Sequence, residues 1–388
     1  MPGIFRGDIS ILTKTGQSYF GLTHKEIALI QSGYEITLYR HELLEQVVSL
    51  LHSYHLGGDR DINLSYFKWR YYDNPYAESP LGIVALHENN VVGFRGYLAT
   101  KWHIPNRNYQ LIILIPGDTC VHPDHRRKGL SVSMGNMAMN NFASDYQVLL
   151  NTSASKNSVP GYLRMGFIPI ADKTFLHKYN LFDLLKKKYH RTTKKAAGLS
   201  SVRIRFGEFD DISVAANARP EIMSAVIAKR HETGHRITLF QDEQFFRWRF
   251  NNRKNRYVFY YFQKDNVITG YVVMLVFDES QSGYIVDFAE IQMGALNSIV
   301  RYILNKDHFD IIAVPNVSLD ENSFQMFKKF GFKANSLIER KERKMTGIYP
   351  FLVRPVKRRC VETDWFIEGL DIRKIENWKI TGICNDGY

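Results

Sequence analysis

Cysteine is scarce in this chain, and the three present, Cys120, Cys360 and Cys384, are odd in number and lack metal-ligand spacing. That argues against a disulfide framework and against a structural metal site, and it makes a reducing cytoplasm the simplest home. Long apolar runs are missing as well; none approaches the ~20 residues needed to span a bilayer. The start, Met1-Pro2-Gly3-Ile4-Phe5-Arg6-Gly7-Asp8, lacks the basic-then-apolar order of a secretory signal. Acidic residues number 39 against 51 lysines and arginines, so the formal net charge is +12 and the partners should be anionic. Nucleic acid, a membrane surface and phosphorylated small molecules all meet that demand. No stretch interleaves basic and aromatic residues as a single-strand binder would, which makes nucleic acid the poorer candidate. The basic runs at Lys186–Lys188, Lys194-Lys195, Arg340–Lys344 and Lys357–Arg359 read as solvated faces or linker.

What is present is a two-part pattern. At 388 residues the chain exceeds the size at which one core keeps growing. The segment Leu181–Ser201 turns basic, then small and polar, and reads as a linker. On either side the chain repeats itself. Phe67-Lys68-Trp69-Arg70-Tyr71 recurs as Phe246-Arg247-Trp248-Arg249-Phe250. Each is followed by a strand, a polar turn (Glu88-Asn89-Asn90 or Lys264-Asp265-Asn266) and another strand. Near the end of each half, Asn151, Ser153, Asn157, Ser158, Gly166 and Phe167 recur as Asn316, Ser318, Asn322, Ser323, Gly331 and Phe332. The expectation is an α/β (α+β) protein of two tandem units, each a mixed, mostly antiparallel sheet flanked by helices. Their bounds are 1–180 and 202–388, with 181–201 between them. Ile9–Leu12 is expected to add an edge strand.

The most telling segment is Val121-His122-Pro123-Asp124-His125-Arg126-Arg127-Lys128-Gly129-Leu130-Ser131. It follows the strand-like Leu111–Ile115 and opens into a helical pattern of Leu130, Met134, Ala138 and Phe142. A strand, a basic turn with one glycine, then a helix start is a device for gripping a pyrophosphate. Backbone N–H groups at the helix N-terminus are available, and the helix dipole favours an anion there by roughly 0.3–1 kcal/mol. Arg126, Arg127 and Lys128 add positive charge, and Gly129 permits close backbone approach.

Arg126-x-x-Gly129-x-Ser131 resembles the acyl-CoA loop of the GNAT N-acyltransferases, with Ser131 where that family carries Gly or Ala. Downstream, Asn157-Ser158-Val159-Pro160-Gly161-Tyr162-Leu163-Arg164-Met165-Gly166-Phe167 resembles the family's second signature. The resemblance implies a coenzyme A thioester as co-substrate and no metal. It implies cofactor contacts at Cys120, Val121, Arg126, Arg127, Lys128, Gly129, Leu130, Ser131 and Asn157. Tyr162 would protonate the departing thiolate, and a backbone N–H near Cys120–Val121 would face the developing oxyanion. Cys120 itself reads as a small buried residue rather than a nucleophile.

The general base is open: Asp118 and His122 both lie near the reaction, and Asn151 could hold a water or the amine. Strand alternation turns Asp118 away from the face of Thr119 and Val121, unless a bulge re-aims it. Arg70, Tyr71, Tyr72 and Asn74 are candidates for an acceptor clamp, with helix-end packing as the alternative. In the second half Phe327 stands in Tyr162's place and no Arg-x-x-Gly turn occurs between Tyr284 and Leu304. Catalysis therefore belongs to the N-terminal half, and the C-terminal copy should wall the acceptor pocket.

The tandem arrangement resembles GNAT-type enzymes of surface-polysaccharide pathways. That implies acyl transfer to the amino group of a nucleotide-linked amino sugar, a dTDP-3-amino-3,6-dideoxyhexose being one such acceptor. The tail Glu376–Thr381 bears a weaker likeness to tails of such proteins. Two other readings compete. One is a Fem-like aminoacyl-tRNA-dependent transferase, disfavoured by the intact loop and the lack of a long heptad insertion. The other is a non-catalytic nucleic-acid or protein-binding module, which decay in both copies would have supported.

Overall fold

The computed structural model describes residues 24–180, 202–230, 234–307, 309–334 and 350–384. The expected edge strand at 9–12, the linker 181–201 and the basic runs at 186–195 and 340–344 lie outside the described residues. The chain forms a mixed α/β structure built on two large sheets, as its repeat implied.

The first sheet runs β1 (Tyr34–Leu38), β2 (Leu81–His87), β3 (Asn90–Ile104), β4 (Tyr109–Val121) and β5 (Val148–Asn151). Hairpin geometry explains the β2–β3 turn: Glu88 and Asn89 take φ of 51° and 62°. The second sheet repeats it with Asp265 at 49° and Asn266 at 61°. Asn and Asp, which supply three of these four positions, tolerate that left-handed region, and two successive left-handed residues make a turn whose twist matches the strands.

One face of the first sheet packs Val84, Leu86 and Phe94 against α2 (Leu44–Leu51) and α3 (Arg60–Phe67). The opposite face packs Ile83, Ala85 and Leu114 against Leu130, Met134 and Ala138 of α4 (Leu130–Asn141) and against Tyr162 of α5 (Val159–Arg164). Alternate residues of β2 thus face opposite helix layers, as a period of two requires. Both α2 and α3 end in a π-helical turn, His52–Leu56 and Lys68–Tyr72. Such wide turns re-aim side chains and recur at functional sites.

The second sheet has the order β7 (Phe175–Tyr179), β14 (Ile311–Pro315), β13 (Ser282–Glu290), β12 (Val267–Phe277), β11 (Tyr257–Lys264), β9 (Ile212–Ala215) and β8 (Gly207–Phe209). Its helices include α6 (Pro220–Lys229), α7 (Glu243–Arg249), α8 (Ala295–Lys306) and α9 (Glu321–Lys329). Within the core of each sheet the pairing is antiparallel except at one corresponding place: β4 runs parallel to β5, and β13 to β14.

The halves exchange strands. β7, from the first half, pairs with β14 in the second sheet. In return β15 (Pro350–Pro355) inserts between β5 and β6 (Ile168–Asp172) of the first sheet. The first sheet is extended further by β10 (Ile237–Leu239) against β3 and by β18 (Trp378–Lys379) against β10. A cut at 181–201 therefore divides the chain but not the sheets.

The repeated tryptophans meet at the centre. Trp69 and Trp248 stack with centroids 5.4 Å apart at 12°. Each indole N–H donates to the other's carbonyl, Trp69 Nε1 to Trp248 O at 2.7 Å and Trp248 Nε1 to Trp69 O at 2.9 Å. A reciprocal pair like this is what a local two-fold relation between copies produces. The repeated motif thus proves to be the joint between the halves.

Candidate active site

The parallel pairing of β4 and β5 covers only Ile113 with Val148 and Leu114 with Leu149, and beyond it the two strands part. A cleft of about 380 Å³ opens there, lined by Asp118, Thr119, Asn151, Ser153 and Tyr162, among others. Three of the residues expected to carry the reaction, Tyr162, Asp118 and Asn151, are therefore brought together.

Asp118 reaches the cleft because of a bulge. The β3–β4 register shifts between Phe94 and Gly96, and Asp118 adopts φ of 46°. Its carboxylate accepts from Tyr71 Oη at 2.8 Å, pairs with Arg70 Nε at 3.1 Å and lies 3.5 Å from His55 Nε2. Burial alone would raise its pKa, but Arg70, His55 and Tyr71 outweigh that and hold it well below the usual carboxylate range. Gly96 makes room for this: a Cβ there would lie 1.9 Å from the Tyr71 hydroxyl.

That arrangement corrects the expected acceptor clamp. Arg70 is 1 % exposed and faces Asp118 rather than an incoming phosphate. Tyr71 is buried on the same carboxylate. Tyr72 bonds Tyr39 Oη and His41 Nδ1, both at 2.8 Å. Asn74 is buried, donating to Ala99 O and accepting from Tyr76 N. The Trp69–Asn74 segment packs the halves and orients Asp118.

Tyr162 is buried to 4 % exposure on α5, its ring edge-on to Phe167 at 4.9 Å. Its hydroxyl has no hydrogen-bond partner among the described residues. Asn151, at the end of β5, accepts from Ser153 N at 2.8 Å, a local turn that shapes the cleft wall. Asn157 is exposed in the turn before α5, and is not among the residues lining the cleft.

The basic loop sits at the mouth of the same strand. Gly129 takes φ of 89° and starts α4 with no capping side chain, so the helix's first N–H groups face outward. Leu130 is buried beneath them, while Arg126, Arg127 and Lys128 are exposed. Arg126 Nε donates to Val121 O at 2.9 Å, closing the loop, and Lys128 Nζ donates to Tyr34 Oη at 2.7 Å. His122 N donates to Val92 O at 2.8 Å, so alternation turns the neighbouring Val121 N–H toward the opening beside β5. Cys120 belongs to the other layer: its thiol is buried under α2, and burial pushes it up to about 11. His122 is held by Tyr54 Oη at 3.0 Å within the loop and is not among the residues lining the cleft.

Three cleft residues carry no motif that sequence reasoning could use. His55 comes from the π-helical turn after α2, Tyr66 from α3, and Lys254 from the second half. Lys254 Nζ lies 5.1 Å from the Tyr66 ring centroid. Burial lowers its pKa, which Asp118 partly restores.

The second half handles its equivalent positions differently. Gly294 starts α8 at φ of 99°, as Gly129 starts α4. There, however, Glu290 Oε2 accepts from Gly294 N at 3.1 Å and from Leu296 N at 3.0 Å. A carboxylate of the chain itself occupies the anion position. The gap beside β13 and β14 is filled by the C-terminal tail: Ser318 Oγ accepts from Ile380 N at 3.0 Å. Gly382 packs so close that a Cβ would come within 2.8 Å of the Val286 backbone. Phe327, in Tyr162's place, is fully buried against Phe332 and Phe288.

A strand–loop–helix anion grip, a bulged β4 and a splayed β4/β5 pair now stand on one unit, and comparison with known families agrees. Residues 35–170 match the acetyltransferase (GNAT) domain. Residues 35–170 thus form a GNAT acetyltransferase domain, whose chemistry is acyl transfer from acyl-CoA. No curated protein matches the chain. Among solved structures, a GCN5-related N-acetyltransferase from Anabaena variabilis aligns over 84% of this chain and 73% of its own, with 13% identity and a TM-score of 0.56. A probable N-acyltransferase from Enterococcus faecalis aligns over the same shares with 10% identity and a TM-score of 0.56. Eis1 from Mycobacterium abscessus covers 83% of this chain and 73% of its own at 13% identity, with a TM-score of 0.50. At such identities the likeness is one of fold. The GNAT domain's acyl-CoA fits the residues present: an uncapped helix start, three exposed cations and a strand edge turned to the cleft. Among the described residues no cluster suits a metal ion, and no helix is long and apolar enough to cross a membrane.

Proposed function

We propose that the protein transfers an acyl group from coenzyme A to the amine of an anionic, nucleotide-linked amino sugar, by direct transfer in a ternary complex. The observation that carries the acyl-transfer part is the meeting of Tyr162 and Asp118 in one cleft beside β4, the strand that runs on into the basic loop. When bound, the thioester supplies an activated carbonyl and a thiol leaving group. The N–H groups of Gly129, Leu130 and Ser131 hold its pyrophosphate, with Arg126, Arg127 and Lys128 adding charge. The Val121 N–H faces the carbonyl oxygen where negative charge develops. Tyr162 gives its proton to the departing sulfur.

Asp118, kept ionised by Arg70, is a poor proton acceptor at neutral pH. The pair it makes with His55 suits the task better: His55 takes the amine proton, and Asp118 orients the ring and balances the charge it acquires. Asn151 shapes the wall where the amine enters. Lys254 and the Tyr66 ring, a cation over an aromatic face, favour an acceptor bearing an anionic group beside a sugar or base. In this reading residues 1–180 bind acyl-CoA and carry catalysis, and 202–388 complete the acceptor side. Such co-substrates belong to the cytoplasm, which three unpaired cysteines also suit.

The test is thermal-shift screening with CoA, acetyl-CoA, longer acyl-CoAs and nucleotide sugars, followed by thiol-release turnover on the binders. A ligand at 100 times its Kd should stabilise the protein by about 2.7 kcal/mol. The absence of a shift with every CoA species would end the acyltransferase reading. A shift with CoA but turnover only on uncharged amines would end the nucleotide-sugar reading alone.

A further inference from the structure

Arg95 is an arginine in the middle of a central strand, and its side chain is 1 % exposed. It stands on β3 at the bulge, where the ladder skips from Phe94 to Gly96 opposite Asp118 and Thr119. Its guanidinium carbon lies 4.7 Å from the centre of the Tyr162 ring and 6.0 Å from that of Tyr97. One terminal nitrogen, Nη1, donates to Ser131 O at 3.1 Å and reaches Ser131 Oγ at 3.4 Å. Its Nε is buried without a hydrogen-bond partner, and no carboxylate pairs with it among the described residues.

A buried cation without a counter-ion is expensive, and a cation elsewhere in this core has one: Arg70 is just as buried and pairs with Asp118. What Arg95 has instead is the π-face of Tyr162, a hydrogen bond with the Tyr97 side chain and the first turn of the helix that starts at the basic loop. The tight fit of the surroundings holds it there. Gly135 of α4 leaves room for Met165, since a Cβ at that position would come within 2.2 Å of Met165 Sδ, and Arg95 Cζ packs beside the same point at 3.7 Å.

We propose that Arg95 is a positioning residue that ties the CoA loop to Tyr162 and stabilises the charge Tyr162 acquires in the reaction. The balance is simple. A bond forms between the amine nitrogen and the acyl carbon, and the carbon–sulfur bond breaks. The sulfur takes the proton of Tyr162, the ring oxygen is left anionic, and the proton shed by the amine leaves through His55 and solvent. Arg95's fixed positive charge lies against the ring during the interval in which that oxygen is anionic. Because the same side chain is bonded to Ser131, displacement of the loop would also displace the ring. The inference rests on Tyr162 acting as the acid, and the experiment separates the two.

The measurement is a cycle of Arg95→Gln and Tyr162→Phe, with Arg95→Lys as the charge-retaining control and Arg95→Met as a second neutral variant should Gln fail to fold. Turnover and KM for acetyl-CoA are read for each with the acceptor found by the binding screen. Arg95→Gln should lower kcat about 10–100-fold with a smaller change in KM, and Arg95→Lys should recover most of it. In the Tyr162→Phe background, Arg95→Gln should change kcat by less than about threefold. Equal losses in both backgrounds would make Arg95 a packing residue and overturn the proposal, as would unchanged kcat in the neutral variants. Unchanged kcat in Tyr162→Phe would instead remove the tyrosine's role, and the proposal with it.

Discussion

Replacing Asp118 by asparagine keeps the shape of the side chain and removes its charge, leaving Arg70 buried and unbalanced. Arg70 and Asp118 have side-chain exposures of 1 % and 6 %, with the guanidinium Nε 3.1 Å from the carboxylate. Breaking a buried pair by removing one partner costs about 3–5 kcal/mol. The Tyr71 hydrogen bond at 2.8 Å becomes neutral rather than charge-assisted, a smaller loss on the same side. The pH dependence carries a sign. Because the folded-state pKa of Asp118 is depressed, its contribution is complete above the unfolded value of about 3.9 and is lost as pH falls below it. Urea denaturation of wild type and Asp118→Asn should therefore differ by about 3–5 kcal/mol at pH 7. The gap should narrow below about pH 4 by at most ~1.4 kcal/mol per unit. A difference under about 1 kcal/mol at pH 7, or one that widens on acidification, would refute this account of Asp118.

Three other outcomes follow from the same reasoning. Asp287 is buried in the second half, where Tyr271 Oη at 2.8 Å and Gln241 Nε2 at 3.0 Å donate to it. Burial still pushes its pKa up to about 6, so the ionised form destabilises the fold as pH rises from about 4 through 6. Asp287→Asn should gain about 1–3 kcal/mol at pH 8 and nothing near pH 3.5, read by denaturation at both pH values. Gly129→Ala places a side chain at φ of 89°, which costs about 1–2 kcal/mol in the loop and should raise KM for acetyl-CoA more than it lowers kcat. Glu290→Gln should destabilise α8 by about 0.5–2 kcal/mol without creating a second CoA site, as calorimetric stoichiometry would report.

Much of the site was legible because it depends on local pattern. The basic turn, Gly129 and the helix from Leu130 are contiguous, and the hairpins advertise themselves through Asn and Asp at left-handed positions. The comparison of Tyr162 with Phe327 needed only a constant offset, and both side chains occupy the expected place above a Gly-Phe turn. Non-local geometry was not legible. The exchange of β7 and β15 depends on pairing between short strands far apart in sequence, which no local period encodes.

Arg70 reads as an exposed clamp until Gly96 on another strand is seen to admit Tyr71 against Asp118. The one overlooked signal was Arg95, a charge inside the apolar run Val91–Leu98 of a central strand. His55 and Lys254 reach the cleft from a π-helical turn and from the other half, so nothing in their own segments announces them.

The central claim is that the residues that carry acyl transfer lie in the first half, with Tyr162 as the acid. Its most direct test is Tyr162→Phe, assayed for thiol release and for acetyl-CoA binding in the same preparation. The account predicts kcat lowered by roughly 10²–10⁴-fold with acetyl-CoA affinity nearly unchanged. Wild-type turnover in the variant, at the same affinity, would contradict it.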